Sequence, residues 1–435
     1  MTTPFGSYEL TRFPEDPRDR LRAWDAADEY LLRHLTTGTG DREPVALGAG
    51  EITVLGDRWG ALATALAGPA AGRVTQIGDS FLGREATSAN LARAGLAEGA
   101  VRLLTTQDTP PERIDVLLVR VPKSLALLED QLHRLAPALH AGSVVVGTGM
   151  VKEIHTSTLN LFERIIGPTR TSLAERKARL IFCSPGVVGE APKAGPGDEA
   201  AGPETQARGP ETRAAGPETQ AAGPNPWPLT YTADADAGAA AGLTVVNHAG
   251  VFCADRLDIG TRFFLRHLPA GGGAAPGRIV DLGCGNGIVG TAAALAHPDA
   301  EVLFTDESYQ AVASAEATYR ANERAGVGSR SGGAEFRVGD GLAGVPAGSV
   351  DLVLNNPPFH SHQATTDATA LRMFAQARRA LRPGGELWVV GNRHLGYHVR
   401  LRRLFGNCEL VASDPKFVVL RAVKQGDGRS SGTRR

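Results

Sequence analysis

Cysteine is scarce in this chain: four residues among 435, at positions 183, 253, 284 and 408, and no two of them spaced C-x-x-C. That excludes a disulfide scaffold and a cysteine-built zinc site, and a reducing cytoplasm fits best. An excess of one charge is missing too. With 46 Lys+Arg against 47 Asp+Glu the net charge is −1, so no global basic field announces a nucleic-acid partner, and any such surface has to be local. No apolar run approaches the ~18 residues of a membrane-crossing helix. The start, Met1 to Glu9, has no basic-then-apolar signal segment. A cytoplasmic protein with no membrane and no metal is expected. At 435 residues the chain is too long for one ordinary core, so two domains are expected.

What is present concentrates in two stretches, Asp281-Leu282-Gly283-Cys284-Gly285-Asn286-Gly287 and Asn355-Asn356-Pro357-Pro358-Phe359-His360. The first follows the apolar run Arg278 to Leu282 and leads into Ile288 to Leu295, which reads as strand, tight turn and helix. Gly283, Gly285 and Gly287 let a ligand approach the backbone where a helix presents unpaired N–H groups. Gly285, Gly287 and Gly290 also satisfy G-x-G-x-x-G, so on this feature alone a dinucleotide cofactor stays open. Glu301 to Asp306 is a second strand ending in a carboxylate suited to ribose hydroxyls, which fits either cofactor. A third acid, Asp340, follows another short strand, in place to meet an adenine edge.

The second stretch is more specific. Ser349 to Leu354 is β-rich and ends in two prolines that remove N–H donors, so the chain leaves the sheet at a strand's C-terminal end, where ligands bind in open α/β sheets. An exocyclic amino group on a base is a poor nucleophile because its lone pair is delocalised into the ring. Acceptors on its two hydrogens favour the tetrahedral geometry in which the lone pair points at a methyl donor. The Asn356 amide oxygen and the Pro357 carbonyl suit that task, and Phe359 suits stacking on the base. Asn-Pro-Pro alone is often only a turn. Here the glycine loop, Asp306, Asp340 and Asn356 follow in the order and spacing of one doubly wound domain.

The half from about Thr244 to Lys424 resembles class I S-adenosylmethionine-dependent methyltransferases that modify exocyclic amino groups. More narrowly, the chain is similar to the large-subunit ribosomal RNA guanine-N2 methyltransferases. Besides the two stretches above, the resemblance rests on Leu257 to Leu265, Pro383 to Leu387, Asn392-Arg393-His394-Leu395, Leu404 to Cys408 and Pro415 to Leu420, with Leu10 to Pro14 and Ala23 to Leu32 near the N-terminus. The small-subunit sister family shares Asn-Pro-Pro-Phe but lacks the Asn392 to Leu395 stretch. The resemblance implies S-adenosylmethionine as cofactor, large-subunit (23S) ribosomal RNA as partner, rRNA methylation at guanine N2, and a monomer. Asp281 would then face the donor's amino-acid end, Asp306 the ribose and Asp340 the adenine, across Gly283, Gly285 and Gly287. Asn356, Pro357, Pro358 and Phe359 would hold the flipped guanine. The alternatives are a small-subunit (16S) enzyme, a protein-glutamine or DNA-adenine amino methyltransferase, which more often carries Tyr where Phe359 stands, and a non-catalytic rRNA-binding assembly protein. A pure binder has no physical need of a complete glycine loop or of Asn356.

The fold class implied is α/β, with two tandem doubly wound Rossmann-like methyltransferase domains, the N-terminal one degenerate. Residues 1–190 form that first domain, 191–229 an insert, 230–424 the catalytic domain and 425–435 a disordered tail. In the first domain the spacing predicts a helix over Pro17 to Leu35, strands at Val45 to Gly48, Arg73 to Asp79, Ile114 to Val119 and Ser143 to Gly147, and helices over Trp59 to Leu66 and Leu125 to Leu139. Aligning Asp115 with Asp351 puts Arg120 opposite Asn356 and Val121-Pro122-Lys123 opposite Pro357-Pro358-Phe359, with the first glycine loop reduced to Gly48-Ala49-Gly50. Arg120 and Lys123 read equally as phosphate contacts or as solvated surface charges. The insert repeats Gly-Pro-Glu-Thr every seven residues from Gly202, Gly209 and Gly216, without a large apolar residue, which predicts disorder. Gly326 to Gly333 reads as a loop. A helix is predicted over Leu371 to Arg382, stopped by Pro383-Gly384-Gly385. The basic stretch Arg393, His394, His398, Arg400, Arg402 and Arg403 reads either as a phosphate-attracting surface or as a solvated helix face. His360 and His362 are needed neither as a base nor as ligands.

Overall fold

The computed structural model describes residues 1–17, 19–40, 42–68, 72–186, 223–252, 256–269, 275–323, 332–358 and 364–426, of which 364–367 by backbone alone. The insert's repeats, most of the Gly326 to Gly333 loop, the tail from 427, and Phe359, His360 and His362 lie outside the described residues.

A short hairpin, β1 (Thr2–Thr3) and β2 (Gly6–Ser7), precedes α1 (Ala26–Thr37). The first half then runs β3 (Glu51–Leu55), α2 (Ala61–Ala67), β4 (Arg73–Gly78), α3 (Phe81–Arg93), β5 (Val101–Thr105), β6 (Ile114–Arg120), α4 (Leu125–Leu135), β7 (Leu139–Met150), α5 (Thr156–Ile165), β8 (Thr169–Thr171) and β9 (Ala178–Cys183). The second half opens with an antiparallel ribbon, β10 (Leu229–Thr232) and β11 (Thr244–Asn247), and α6 (Ile259–Leu265). It continues through β12 (Arg278–Leu282), α7 (Ile288–Ala296), β13 (Glu301–Asp306), α8 (Tyr309–Ala321), β14 (Ala334–Val338), β15 (Val350–Asn355), α9 (Ala364–Ala380), β16 (Leu381–Asn392), α10 (Tyr397–Phe405), β17 (Glu409–Ser413) and β18 (Phe417–Val423).

Each half builds a seven-stranded sheet, in the orders β5-β4-β3-β6-β7-β9-β8 and β14-β13-β12-β15-β16-β18-β17. These are the same order twice. Five neighbouring strands run parallel, the sixth runs against them and the last pairs antiparallel with the sixth, so both halves share the topology that the sequence implies. The central strands are apolar runs because both faces are covered: Ile279, Val302, Leu352 and Val390 pack on one side with α7 and α8, and Val280, Leu303, Val353 and Val389 pack on the other with α9 and α10.

Three local expectations are corrected. The first helix starts at Ala26, because Asp25 accepts from the Ala27 N–H and Asp28 answers to the Asp25 N–H; this capping box overrides the apolar period that continues back to Leu21, which stays 59% exposed. The first strand is Glu51–Leu55 and not Val45 to Gly48, which has no regular structure; Glu51 disguises a fully buried strand by ion-pairing with Arg73 at 3.3 Å. The helix before Pro383 ends at Ala380, and Leu381 and Arg382 already belong to β16, whose pairing with β15 shifts register there.

The halves meet around an approximate twofold. Phe81 N–H donates to the Glu307 carbonyl and Tyr309 N–H to the Asp79 carbonyl, at 2.8 and 2.9 Å. Gln310 extends the contact, donating to Asp130 at 3.2 Å and accepting from Gln107 at 2.6 Å.

Candidate active site

The glycine loop forms where β12 runs out between β13 and β15. Gly283 and Cys284 N–H both donate to the Thr305 carbonyl, at 2.8 and 3.1 Å, folding the chain over the end of β13. Gly287 then starts α7 at φ +74°, and a Cβ there would stand 2.6 Å from Ala315 Cα. Gly285, at φ +53°, faces open space, leaving room for a ligand. Asp306 stands beside the loop, its carboxylate accepting from Gly285 N–H and Ser308 N–H at 3.1 Å each, and burial raises its pKa. Asp281 lies beneath the loop, 3% exposed, accepting from Gly290 N–H at 2.8 Å. Burial pushes its carboxyl up to about 8, against the opposing pull of that N–H. Asp340 is two residues past β14; its carboxylate pairs with Arg372 at 3.1 Å and its carbonyl accepts from Gln376 at 3.1 Å, so it is already shared with α9.

β15 brings the second stretch alongside. Leu282 pairs with Asn355, and the fully buried Asn355 donates from Nδ2 to the Leu282 carbonyl at 2.7 Å. A Cβ on Gly283 would stand 4.0 Å from Asn355 Nδ2 and from the Asn356 carbonyl, so loop and turn abut. Asn356 donates from Nδ2 to Thr261 Oγ1 at 2.8 Å. Its Oδ1 is shielded from solvent and has no hydrogen-bond partner among the described residues. A buried amide oxygen without a donor is costly, and Asn355 Oδ1 next to it is likewise unpartnered among the described residues. Pro357 is buried and Pro358 exposed. The structure therefore brings Asp281, Gly283, Gly285, Gly287, Asp306 and Asn356 to the C-terminal ends of three adjoining strands, with Asp340 beyond them at β14.

The matching site of the first half is filled by its own side chains. Gly56 and Gly60 occupy the places of Gly283 and Gly287, so the vestigial loop is Gly56 to Gly60 and not Gly48 to Gly50, which precedes β3. Arg58 stands where Gly285 does, and Asp57 caps α2 by accepting from Ala61 and Ala63 N–H at 3.0 and 2.9 Å. Arg120, opposite Asn356, is 1% exposed and is neither a solvated charge nor free for phosphate. It reaches Asp25 at 2.7 Å, Glu153 at 3.1 Å and Asp28 at 3.3 Å, and Arg58 closes the cluster onto Glu153 at 2.9 Å. Burial opposes it, but Arg58 and Arg120 hold the Glu153 carboxyl down to about 2. Lys123 is exposed.

Sequence reasoning missed the polar residues behind the site. The resemblance sets the lead-in through Leu257 to Leu265 beside the cofactor site, but nothing in the sequence puts Thr261, or Asp258 behind it, against Asn356. Asn286 of the loop donates to Asn247 at 3.0 Å, and the neighbouring His248 meets Gln310 at 3.1 Å, linking the loop to the domain boundary. α10 buries Tyr397, Leu401 and Phe405 and exposes Arg400, Arg402 and Arg403. Among the described residues no group of His, Cys, Asp or Glu is arranged to hold a metal ion, and no helix is long and apolar enough to cross a membrane.

Comparison with known proteins agrees with this architecture. A family model described as the RLMG N-terminal domain matches residues 1–187, and one described as the methyltransferase small domain matches residues 242–421. Ribosomal RNA large subunit methyltransferase G of Streptomyces avermitilis is 68% identical over 428 residues, which is 98% of this chain and 99% of that protein. The protein of the same name from Ectopseudomonas mendocina is 48% identical over 98% of this chain and 99% of its own length. Among solved structures, a T. thermophilus 16S rRNA N2 G1207 methyltransferase in complex with AdoMet and guanosine matches with a TM-score of 0.67 at 20% identity, covering 96% of this chain and 98% of that one, a likeness of fold.

Proposed function

Because the chain belongs to the ribosomal RNA large subunit methyltransferase G family, we propose that it transfers the methyl group of S-adenosylmethionine to the N2 amino group of one guanine in 23S ribosomal RNA. The observation that carries the chemistry is the unpartnered Oδ1 of Asn356, a residue whose backbone abuts the glycine loop. The residues present fit the donor: Gly285 opens onto free space and Asp306 flanks it. S-adenosylmethionine, when bound, supplies a methyl carbon made electrophilic by the adjacent sulfonium. Gly283, Gly285 and Gly287 would hold it by close backbone approach, with Asp281 serving its amino-acid end, Asp306 the ribose and Asp340 the adenine. Asn356 Oδ1 and the Pro357 carbonyl accept the two hydrogens of the guanine amine, which frees its lone pair and fixes its direction. Pro358 stiffens the turn.

We assign residues 1–190 to the degenerate domain, 191–229 to the insert, 230–424 to the catalytic domain and 425–435 to a tail; the expected disorder does not extend to 223–229, where Asn225 and Trp227 donate to Asp130 and Glu129 and Leu229 opens β10. The working form is a cytoplasmic monomer. Support for a degenerate first domain comes from its buried ion cluster, which occupies the place of the guanine-holding turn.

The test is transfer of radiolabelled methyl to ribosomal RNA from a strain lacking this gene, with wild type beside Asn356→Ala. Label is expected in 23S RNA as N2-methylguanosine, with the variant's turnover down by about 10²- to 10³-fold, the loss seen when one such acceptor or donor is removed, and its donor affinity retained. Label in 16S RNA, or full activity of the variant, would overturn the reading.

A further inference from the structure

We infer that Thr261, backed by Asp258, is the positioning residue that fixes which way the Asn356 amide points, and so decides whether the site presents an acceptor or a donor to the base. The inference rests on the reading of Asn356 as the acceptor for the substrate amine.

The side-chain amide of asparagine is nearly symmetric in shape, and its two ends differ only in hydrogen bonding. In a site that must accept from an amine, the flipped orientation would put an NH2 group against the substrate NH2. Something has to choose between the two. The Asp258 carboxylate is held by α6, accepting from Gly260 N–H at 2.7 Å and Thr261 N–H at 3.2 Å through Oδ1. Its Oδ2 accepts the Thr261 hydroxyl. A threonine hydroxyl has one proton, and here that proton is committed to Asp258. What Thr261 Oγ1 offers Asn356 is therefore a lone pair, and it takes Nδ2–H at 2.8 Å. The flipped amide would set Oδ1 against that lone pair. The direction of every bond in the chain Asn356 to Thr261 to Asp258 follows from the last member having no proton to give, and it leaves Oδ1 as the free, shielded end. Thr261 is itself 7% exposed, so water does not compete for its hydroxyl.

The arrangement makes an unusual prediction for Asp258→Asn. Asparagine caps a helix as well as aspartate does, and its Oδ1 would keep the two backbone N–H groups of α6. Its Nδ2 would then face Thr261 Oγ1 as a donor, the hydroxyl would turn and donate to Asn356, and the Asn356 amide would reverse. A nearly isosteric change remote from the substrate would thus invert the acceptor.

The experiment compares wild type, Thr261→Val, Thr261→Ser, Asp258→Asn, Thr261→Val/Asp258→Asn and Asn356→Ala. It measures kcat and KM for methyl transfer to ribosomal RNA from a strain lacking this gene, S-adenosylmethionine affinity by calorimetry, and the Asn356 side-chain amide resonances with selectively 15N-labelled asparagine. Thr261→Val and Asp258→Asn are each expected to lower kcat by about 10²-fold, the size of effect that mispositioning produces, with KM and donor affinity retained and the Asn356 resonances shifted. Thr261→Ser should recover most of the rate, and the double variant should lose no more than either single one. Thr261→Val or Asp258→Asn at wild-type kcat, Thr261→Ser as slow as Thr261→Val, or additive losses in the double variant would overturn the inference. Wild-type kcat in Asn356→Ala would overturn the acceptor reading beneath it; an inactive Asn356→Ala beside an active Thr261→Val would overturn the positioning role alone.

Discussion

Ser80 and Ser308 occupy matching places in the two halves, each capping the helix that follows its sheet's second strand, and they pair with each other as an isolated antiparallel bridge. Each hydroxyl also reaches across: Ser80 donates to Glu307 and Ser308 to Asp79. Duplication has thus produced a boundary in which each half caps its own helix and bonds an acid of the other half, Asp79 half-buried and Glu307 exposed. Glu307 adjoins Asp306, so the boundary lies one residue from the proposed ribose contact.

This boundary should make stability depend on pH. Burial pushes the Asp79 carboxyl up to about 6 and Glu307 up to about 7, while Ser308 and Ser80 pull them the other way; Glu307 is exposed at the surface, so solvent screens its share and Asp79 carries most of the effect. Both folded-state values lie above the unfolded ones, so in the window from about pH 4 to 7 the folded protein binds more protons than the unfolded chain. Stability contributed by these groups therefore falls as pH rises through that window. Urea unfolding across it should show the decline, and Asp79→Asn with Glu307→Gln should flatten it. An unchanged slope in the double variant would locate the effect elsewhere.

Two glycines of the loop should respond differently to alanine. At Gly287 a Cβ meets Ala315 at 2.6 Å with φ at +74°, so Gly287→Ala is expected to destabilise the fold by more than the ~1–3 kcal/mol of backbone strain alone. At Gly285 the same methyl enters open space, so Gly285→Ala should cost no more than that backbone strain while weakening S-adenosylmethionine binding. Thermal unfolding and donor titration, run on both, separate the two outcomes.

Arg120 should matter for stability and not for chemistry. Arg120→Met leaves Asp25, Asp28 and Glu153 without their shared cation in a buried place, where removing one partner costs about 3–5 kcal/mol. Donor affinity of the folded fraction should match wild type. A variant of unaltered stability that binds RNA more weakly would instead return Arg120 to the role of a phosphate contact.

The exposed arginines of α10 are the local basic surface that a net charge of −1 does not announce. β16 extends past the β15 partner Val389 to Asn392 before α10 begins, so the helix starts at the same sheet edge as Asn356. Replacing Arg400, Arg402 and Arg403 by glutamine should raise KM for ribosomal RNA with kcat little changed. It should also reduce the slope of log affinity against log salt by about 2, the value for three lost phosphate contacts. An unchanged slope would make this a solvated helix face.

The sequence by itself determined the cofactor loop, the acid-ended strand and the Asn-Pro-Pro turn, because those depend on backbone freedom, missing N–H donors and residue order, which are local properties. It also determined the doubling of the fold, since Asp115 and Asp351 begin matching strands and carry Arg120 and Asn356 to matching ends. Tertiary structure decided what those ends contact. Arg120 reads equally as a phosphate contact or a surface charge until Asp25, Asp28 and Glu153 converge on it from elements up to 95 residues away. Asn356 reads as an acceptor in either amide orientation until Thr261, also 95 residues away, takes its Nδ2. In the sequence Glu51 hides the strand before the first half's glycine loop, and its pairing with Thr75 and Arg73 between β4 and β6 makes it an interior residue. Hydrogen-bond direction and the pairing of buried charge depend on which distant groups meet, and that is set by packing.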